Sequence, residues 1–232
     1  MANKLALTLS LLTGAILAGT PVVTVFAAPV PPVIAQQQPA KSAVKLTLED
    51  LPPGFQALPP ELTAQIAARL EPFRQQLAKA NIQPEDFFAF VNPENFQLVM
   101  GVAGDLPNQQ AQTQFDASLQ QLQNPELQRR LLTQLQASLK SFKGIEVVDY
   151  KSLPALNNVA NASTGFTLSV KMQEQPVNFD MATFRRGQVA AFTAVMYVNG
   201  ETAQVAVKDV ATKLDNRIMQ SSAAVNSSPS VK

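Results

Sequence analysis

The chain has 232 residues, of which 46% are hydrophobic, and sets 18 Lys and Arg against 17 Asp and Glu; that suits one domain of ordinary size with appendages, and a charge so near zero offers no basic footprint for nucleic acid. It contains neither Cys nor His, which excludes disulfides, thiolate zinc sites, a lipobox lipid anchor, Ser-His triads and histidine-ligated metals. An enzyme built from it would have to work with carboxylates, Lys, Tyr or Ser.

Residues 1–27 read as a signal peptide. Lys4 gives a positive start, "LALTLSLLTGAILAGTPVVTVF" an apolar run, and Val25 and Ala27 occupy the minus-three and minus-one positions for cleavage before Ala28. The alternative is a retained N-terminal membrane anchor, because ~20 apolar residues span a bilayer; Gly14, Gly19 and Pro21, which break the run, favour removal. Residues 28–43 form a Pro/Gln-rich linker, 44–220 a single domain and 221–232 a tail poor in anchors.

Within the domain, "VKLTL" alternates Val44, Leu46 and Leu48 with Lys45 and Thr47, as a strand with one buried face does. In "EDLPPGF" the residues Pro52, Pro53 and Gly54 stop that ladder and turn the chain, so the stretch reads as a boundary more than a site. From Pro60 the spacing of Leu62, Ile66, Leu70, Phe73 and Leu77 predicts a helix, kinked at Pro72 and ended by Asn81. "DFFAFVNPENFQLVMGVAG" predicts a hairpin of two apolar runs, Phe87 to Val91 and Phe96 to Ala103, joined by a type I turn at Asn92-Pro93-Glu94-Asn95. Runs so continuously apolar should be covered on both faces.

Residues 109–141 predict two consecutive helices, one with Phe115, Leu119 and Leu122 and one with Leu127, Leu131, Leu135 and Leu139, separated at "NPEL" with Asn124 as N-cap. After Gly144 come strands at "IEVVDY", "FTLSVKM", "VNFDMATF" and "VAAFTAVMYV"; in the second, Phe166, Leu168, Val170 and Met172 alternate with Thr167, Ser169 and Lys171, which gives one wet face, and "RRGQ" closes the last hairpin with Gly187 in the tight turn. A closing helix from Val207 to Met219 aligns Val207, Val210, Ala211, Leu214 and Ile218. Strands in adjacent pairs and helices in groups predict an α+β fold, an antiparallel sheet packed between helices.

The succession of "FRRGQVAAFTAVMYV", the turn "NGETAQ" and the helix "VKDVATKLDNRI" resembles the C-terminal half of exported bacterial proteins with the PsbP or Mog1-like fold. The opening "LTLEDLPPGFQALP" resembles that of secreted cyanobacterial proteins associated with the same fold, so that the resemblance covers roughly Val44 to Met219. It implies an α/β/α sandwich and an accessory, assembly or binding role in the periplasm or thylakoid lumen. The chain departs from PsbP itself in having no His for metal contacts and no aromatic-rich N-terminal arm.

Few residues stand out as candidates for chemistry. Arg185 and Arg186 at the hairpin tip could grip a carboxylate or phosphate with their planar forks of donors, or simply solvate a turn. Asp209, Lys213 and Asp215 read as the wet face of the last helix. Phe87, Phe88, Phe90, Phe96 and Met100 read as core, with an apolar-ligand pocket as the alternative. Glu49-Asp50 and Glu85-Asp86 are neighbours in sequence, so in extended chain they diverge and suit turn or cap roles. Gln110, Gln112, Gln114, Gln120, Gln121, Gln123, Gln128, Gln134 and Gln136 surround the leucine stripes with neutral amides, either a solvated face or a partner surface.

No nucleotide-binding, nucleophile-elbow or EF-hand motif is present. The expectation is an exported, non-enzymatic accessory or binding protein that acts through a protein partner, needs no cofactor or metal, and touches a membrane only through an uncleaved N-terminal segment. A carrier or sensor of a small apolar ligand is the alternative, and a hydrolase-type enzyme using carboxylates or Lys the third reading.

Overall fold

The computed structural model describes residues 44–59, 83–139 and 145–226. The signal segment, the linker, the helix expected from Pro60 with its kink at Pro72 and stop at Asn81, and the last residues of the tail lie outside the described residues.

The described chain forms seven strands and three α-helices. In order they are β1 (Gln56–Ala57), β2 (Gln83–Asn92), β3 (Gln97–Asp105), α1 (Gln109–Leu122), α2 (Pro125–Leu139), β4 (Ile145–Ser152), β5 (Ala162–Met172), β6 (Gln175–Arg186), β7 (Val189–Val198) and α3 (Val207–Asn226). All strands join one antiparallel sheet in the order β1-β2-β3-β7-β6-β5-β4. The α1–α2 pair carries the chain from β3 to the far edge, and β5, β6 and β7 then return strand by strand until β7 closes on β3. The architecture is thus mixed helix and strand, compatible with the expected α+β class.

Strand alternation divides the apolar residues between the two faces of the sheet. Val177, Phe179 and Met181 of β6, with Phe166, Leu168 and Val170 of β5, lie in one core together with Leu98 and Met100 of β3 and Leu132 of α2. Ala182 and Phe184 of β6, with Val99 of β3 and Val195 of β7, lie in the other, under Val207, Val210, Ala211, Leu214 and Ile218 of α3. That helix stripe was the expected one, and four of its five residues are fully inaccessible at 0%. β3 sits between the two cores, so its nearly unbroken apolar run is buried along both faces, as expected. Gly101 of β3 faces Phe88 across the ladder, and a Cβ there would stand 2.4 Å from the Phe88 ring.

Three expectations are corrected. "VKLTL" forms no strand: Val44 and Leu46 are buried in the α3-side core, but the segment is not a strand of the sheet and a 3-10 turn follows at Leu48–Asp50. The alternation was real and reported burial, which packing alone can impose without a ladder. Phe96 does not begin β3; it lies in the turn with φ +52° and a largely exposed ring. The last helix runs on through Asn226, past the expected end at Met219, where Ser222 bonds back to the Ile218 carbonyl at 2.9 Å.

Candidate functional site

The two arginines at the β6–β7 tip are adjacent in a strand, so their side chains leave on opposite faces. Arg185 turns to the α1 side. Its Nε donates to Asp116 Oδ1 at 2.7 Å and its Nη2 to Oδ2 at 2.6 Å, while Nη1 donates to the Gly187 carbonyl at 2.6 Å. Arg186 turns to the α3 side, where Nε and Nη2 donate to the two Asp215 oxygens at 2.7 and 2.6 Å. Donation to these carboxylates raises both guanidinium groups above their ordinary range. The pair therefore clamps two helix layers to one strand end and does not converge on a ligand.

Asp215, expected on the wet face of the last helix, is only 3% exposed. It belongs to the helix flank that meets Arg186. The opposite flank meets the boundary stretch: Arg217 Nη2 lies 3.0 Å from Asp50 Oδ1, and Lys213 Nζ donates to the Asp50 carbonyl. Burial opposes ionisation of Asp50, but the Thr47 N–H and the Arg217 guanidinium outweigh it and hold the carboxyl below its usual range. The cap role expected for the Glu49-Asp50 pair is thus seen at Asp50, which accepts from the Thr47 N–H at 2.8 Å.

The aromatic cluster does not gather. Phe88 and Phe90 stack at 5.9 Å in the α3-side core, whereas Phe87 and Met100 belong to the other face and Phe96 to the turn. The glutamines divide likewise. Gln123, Gln128 and Gln136 donate to the Ser163, Leu122 and Val147 carbonyls at 3.2, 2.9 and 3.4 Å, while Gln110, Gln114, Gln120, Gln121 and Gln134 are exposed.

On the α3 face of β5, β6 and β7 the predicted wet positions form a polar ladder. Thr167 donates to Asp180 at 2.6 Å, Tyr197 donates to the other Asp180 oxygen at 3.1 Å, and Ser169 donates to Asn178 at 2.8 Å. Burial first, and then the Asp180 charge, raise the Tyr197 pKa. A carboxylate that accepts the phenol proton's hydrogen bond holds the tyrosine neutral, so this ladder preserves a phenol and does not generate a nucleophile.

The arrangement that sequence reasoning missed lies at the opposite end of the sheet from the arginines. Asn92 ends β2 and Gln97 starts β3, paired across the hairpin and buried at 2% and 1%. Buried amides must find partners, and these find them in a loop more than 100 residues away. Asn92 Nδ2 donates to Gln204 Oε1 at 2.7 Å and Asn95 Nδ2 to the same oxygen at 3.2 Å. Gln97 Nε2 donates to the Val205 carbonyl at 3.0 Å, and its Oε1 accepts the Gln204 N–H at 3.0 Å. Gln204 Nε2 in turn donates to the Pro53 carbonyl at 3.1 Å.

Three loops, residues 52–55, 93–96 and 199–206, are thereby tied into one surface. Gly54 fits it through its φ of +99° and its missing Cβ, which would lie 2.8 Å from Asn92 Nδ2. The three loops contain no Lys or Arg, and Glu94 and Glu201 are exposed on them. The chemistry available there is neutral hydrogen bonding, apolar contact and a weak negative charge, on a base held by side-chain amides.

The fold and this loop surface define a mixed helix-and-strand domain with a built end face. Among known proteins, no family model matches the chain and no curated protein is similar to it.

Proposed function

We propose that this is an exported, non-enzymatic accessory or binding protein of the periplasm or thylakoid lumen, and that it works through a protein partner. The observation that supports the reading is the loop end itself. Segments from three distant parts of the chain are drawn together by Gln204, Asn92, Asn95 and Gln97. Loops held by a rigid scaffold are where proteins commonly place their binding surfaces. The sequence adds a leader with a small-residue cleavage site and the absence of His and Cys. In the same reading the sheet with helices on both faces is a PsbP/Mog1-like sandwich.

The chain, tagged at its C terminus and purified from its own host's membranes and lumen, should co-purify with a protein partner and begin at Ala28. Gln204→Ala, which unties the loops at an exposed residue, should reduce that capture. Enrichment of nothing beyond what an unrelated exported protein brings down with the same tag would defeat the proposal.

A further inference from the structure

Phe96 combines two features that folding does not require. Its φ of +52° is left-handed, where a bulky residue is an outlier, and at 58% it is the most exposed large hydrophobic among the described residues. Asn or Gly at this position would relieve both costs, since each enters the left-handed region readily and neither exposes apolar surface. An outlier of this kind, at the tip of a hairpin whose base is held by the Asn92, Asn95 and Gln97 amides, points to use outside the chain.

Its surroundings say what kind of use. The hairpin base is fixed by Asn92 Oδ1, which accepts the Glu94 N–H at 3.0 Å, and by Asn95 Oδ1, which accepts the Gln97 N–H at 3.3 Å. The ring is therefore presented from a preorganised turn, which lowers the ordering cost of binding. Glu94 and Glu201 are the only charged residues on the three loops. Anionic lipid surfaces attract basic segments and repel this one. An apolar anchor with an acidic rim complements a protein pocket whose own rim is basic.

We infer that Phe96 is the aromatic anchor by which this end of the molecule docks into an apolar pocket of a protein partner, a pocket rimmed by Lys or Arg side chains that face Glu94 and Glu201. The inference rests on the reading that the protein works through a partner. It adds which residue enters the partner and what chemistry receives it.

The test places photoreactive benzoylphenylalanine at position 96 of the full chain and, as a control, at position 188 on the opposite tip, where Gln188 is exposed. Irradiation in the native host should crosslink position 96, and not 188, to a different protein, through a peptide that lines an apolar pocket flanked by basic residues. Purified wild-type chain should compete the crosslink away. Phe96→Asn, with its Tm undiminished, should compete about thirtyfold less well, the size of effect expected of an interface hot spot. Glu94→Lys combined with Glu201→Lys should also compete poorly, and high salt should narrow its deficit against wild type.

Equal competition by Phe96→Asn would overturn the inference, as would a crosslink to lipid or to a second copy of the chain. Indifference to charge reversal would remove the basic rim. If a partner co-purifies yet position 96 crosslinks to nothing, the anchor fails while the partner reading stands. If no partner co-purifies at all, both fail together.

Discussion

Asp215 has a side chain only 5% exposed, and Arg186 is its counter-ion, whereas Asp116 keeps 28% exposure beside Arg185. That difference sets what each arginine is worth. Removing Arg186 leaves a carboxylate that water cannot easily reach, and breaking a buried pair in this way costs about 3 kcal/mol or more. Asp116 can rehydrate when Arg185 is lost, so that substitution should cost about 1 kcal/mol. Chemical denaturation of Arg186→Ala and Arg185→Ala should therefore rank the first as clearly the more destabilised. Equal losses would mean that the two clamps are not the unequal pairs their burial indicates. Placed at a turn, as the sequence suggests, the two arginines could grip one anion; β6 runs through Arg186, and consecutive strand residues diverge, so the two cannot close on one anion. Their partners, 69 and 29 residues away, were not legible either, because no local pattern marks which carboxylate a fold will bring near.

At the scale of elements, the β5–β6 connection has the sharpest conflict between sequence and conformation. Met172 pairs with Gln175, leaving Gln173 and Glu174 as a two-residue loop with φ values of +52° and +72°. Such a primed turn favours Asn-Gly, and each ordinary residue held left-handed costs about 1–2 kcal/mol. Gln173→Asn combined with Glu174→Gly should stabilise the protein by about that amount and raise Tm by several degrees. An unchanged or lower Tm in calorimetry would refute the strain. This turn carried no Gly, Asn or Pro signal at its centre, whereas the β6–β7 turn was legible from Gly187, whose φ is +57°. Helices and long strands were legible because their apolar spacing survives packing. "VKLTL" misled because burial of Val44 and Leu46 by α3-side neighbours produces the same alternation as a ladder. The amide network of the loop end was illegible for a different reason: its polar residues look like ordinary turn formers until the fold buries Asn92 and Gln97 against Gln204.

For the molecule as a whole, the closing of β7 onto β3 divides the protein into two cores, and the chain's two tyrosines fall one to each side. Tyr150 stacks on Phe166 at 4.9 Å on the α1–α2 side, and burial pushes its pKa up to about 12. Tyr197 packs at the edge of the α3-side core, and burial followed by the Asp180 charge raises it as well. Both groups are thus held neutral in the fold, while in the unfolded chain they titrate near the ordinary value of 10.0. Above that pH the unfolded chain releases protons that the native chain retains, so the unfolded state gains free energy of ionisation and stability falls. The tyrosine contribution is fully present below pH 10 and should be lost progressively between about pH 10 and 12. Absorbance of tyrosinate should accordingly show little ionisation at pH 10 in the folded protein and nearly complete ionisation only once the sheet opens. Tyr150→Phe should flatten the alkaline fall in stability. A native titration with its midpoint at the ordinary tyrosine value would show that neither core shields its phenol, and the two-sided burial of the sheet would have to be abandoned.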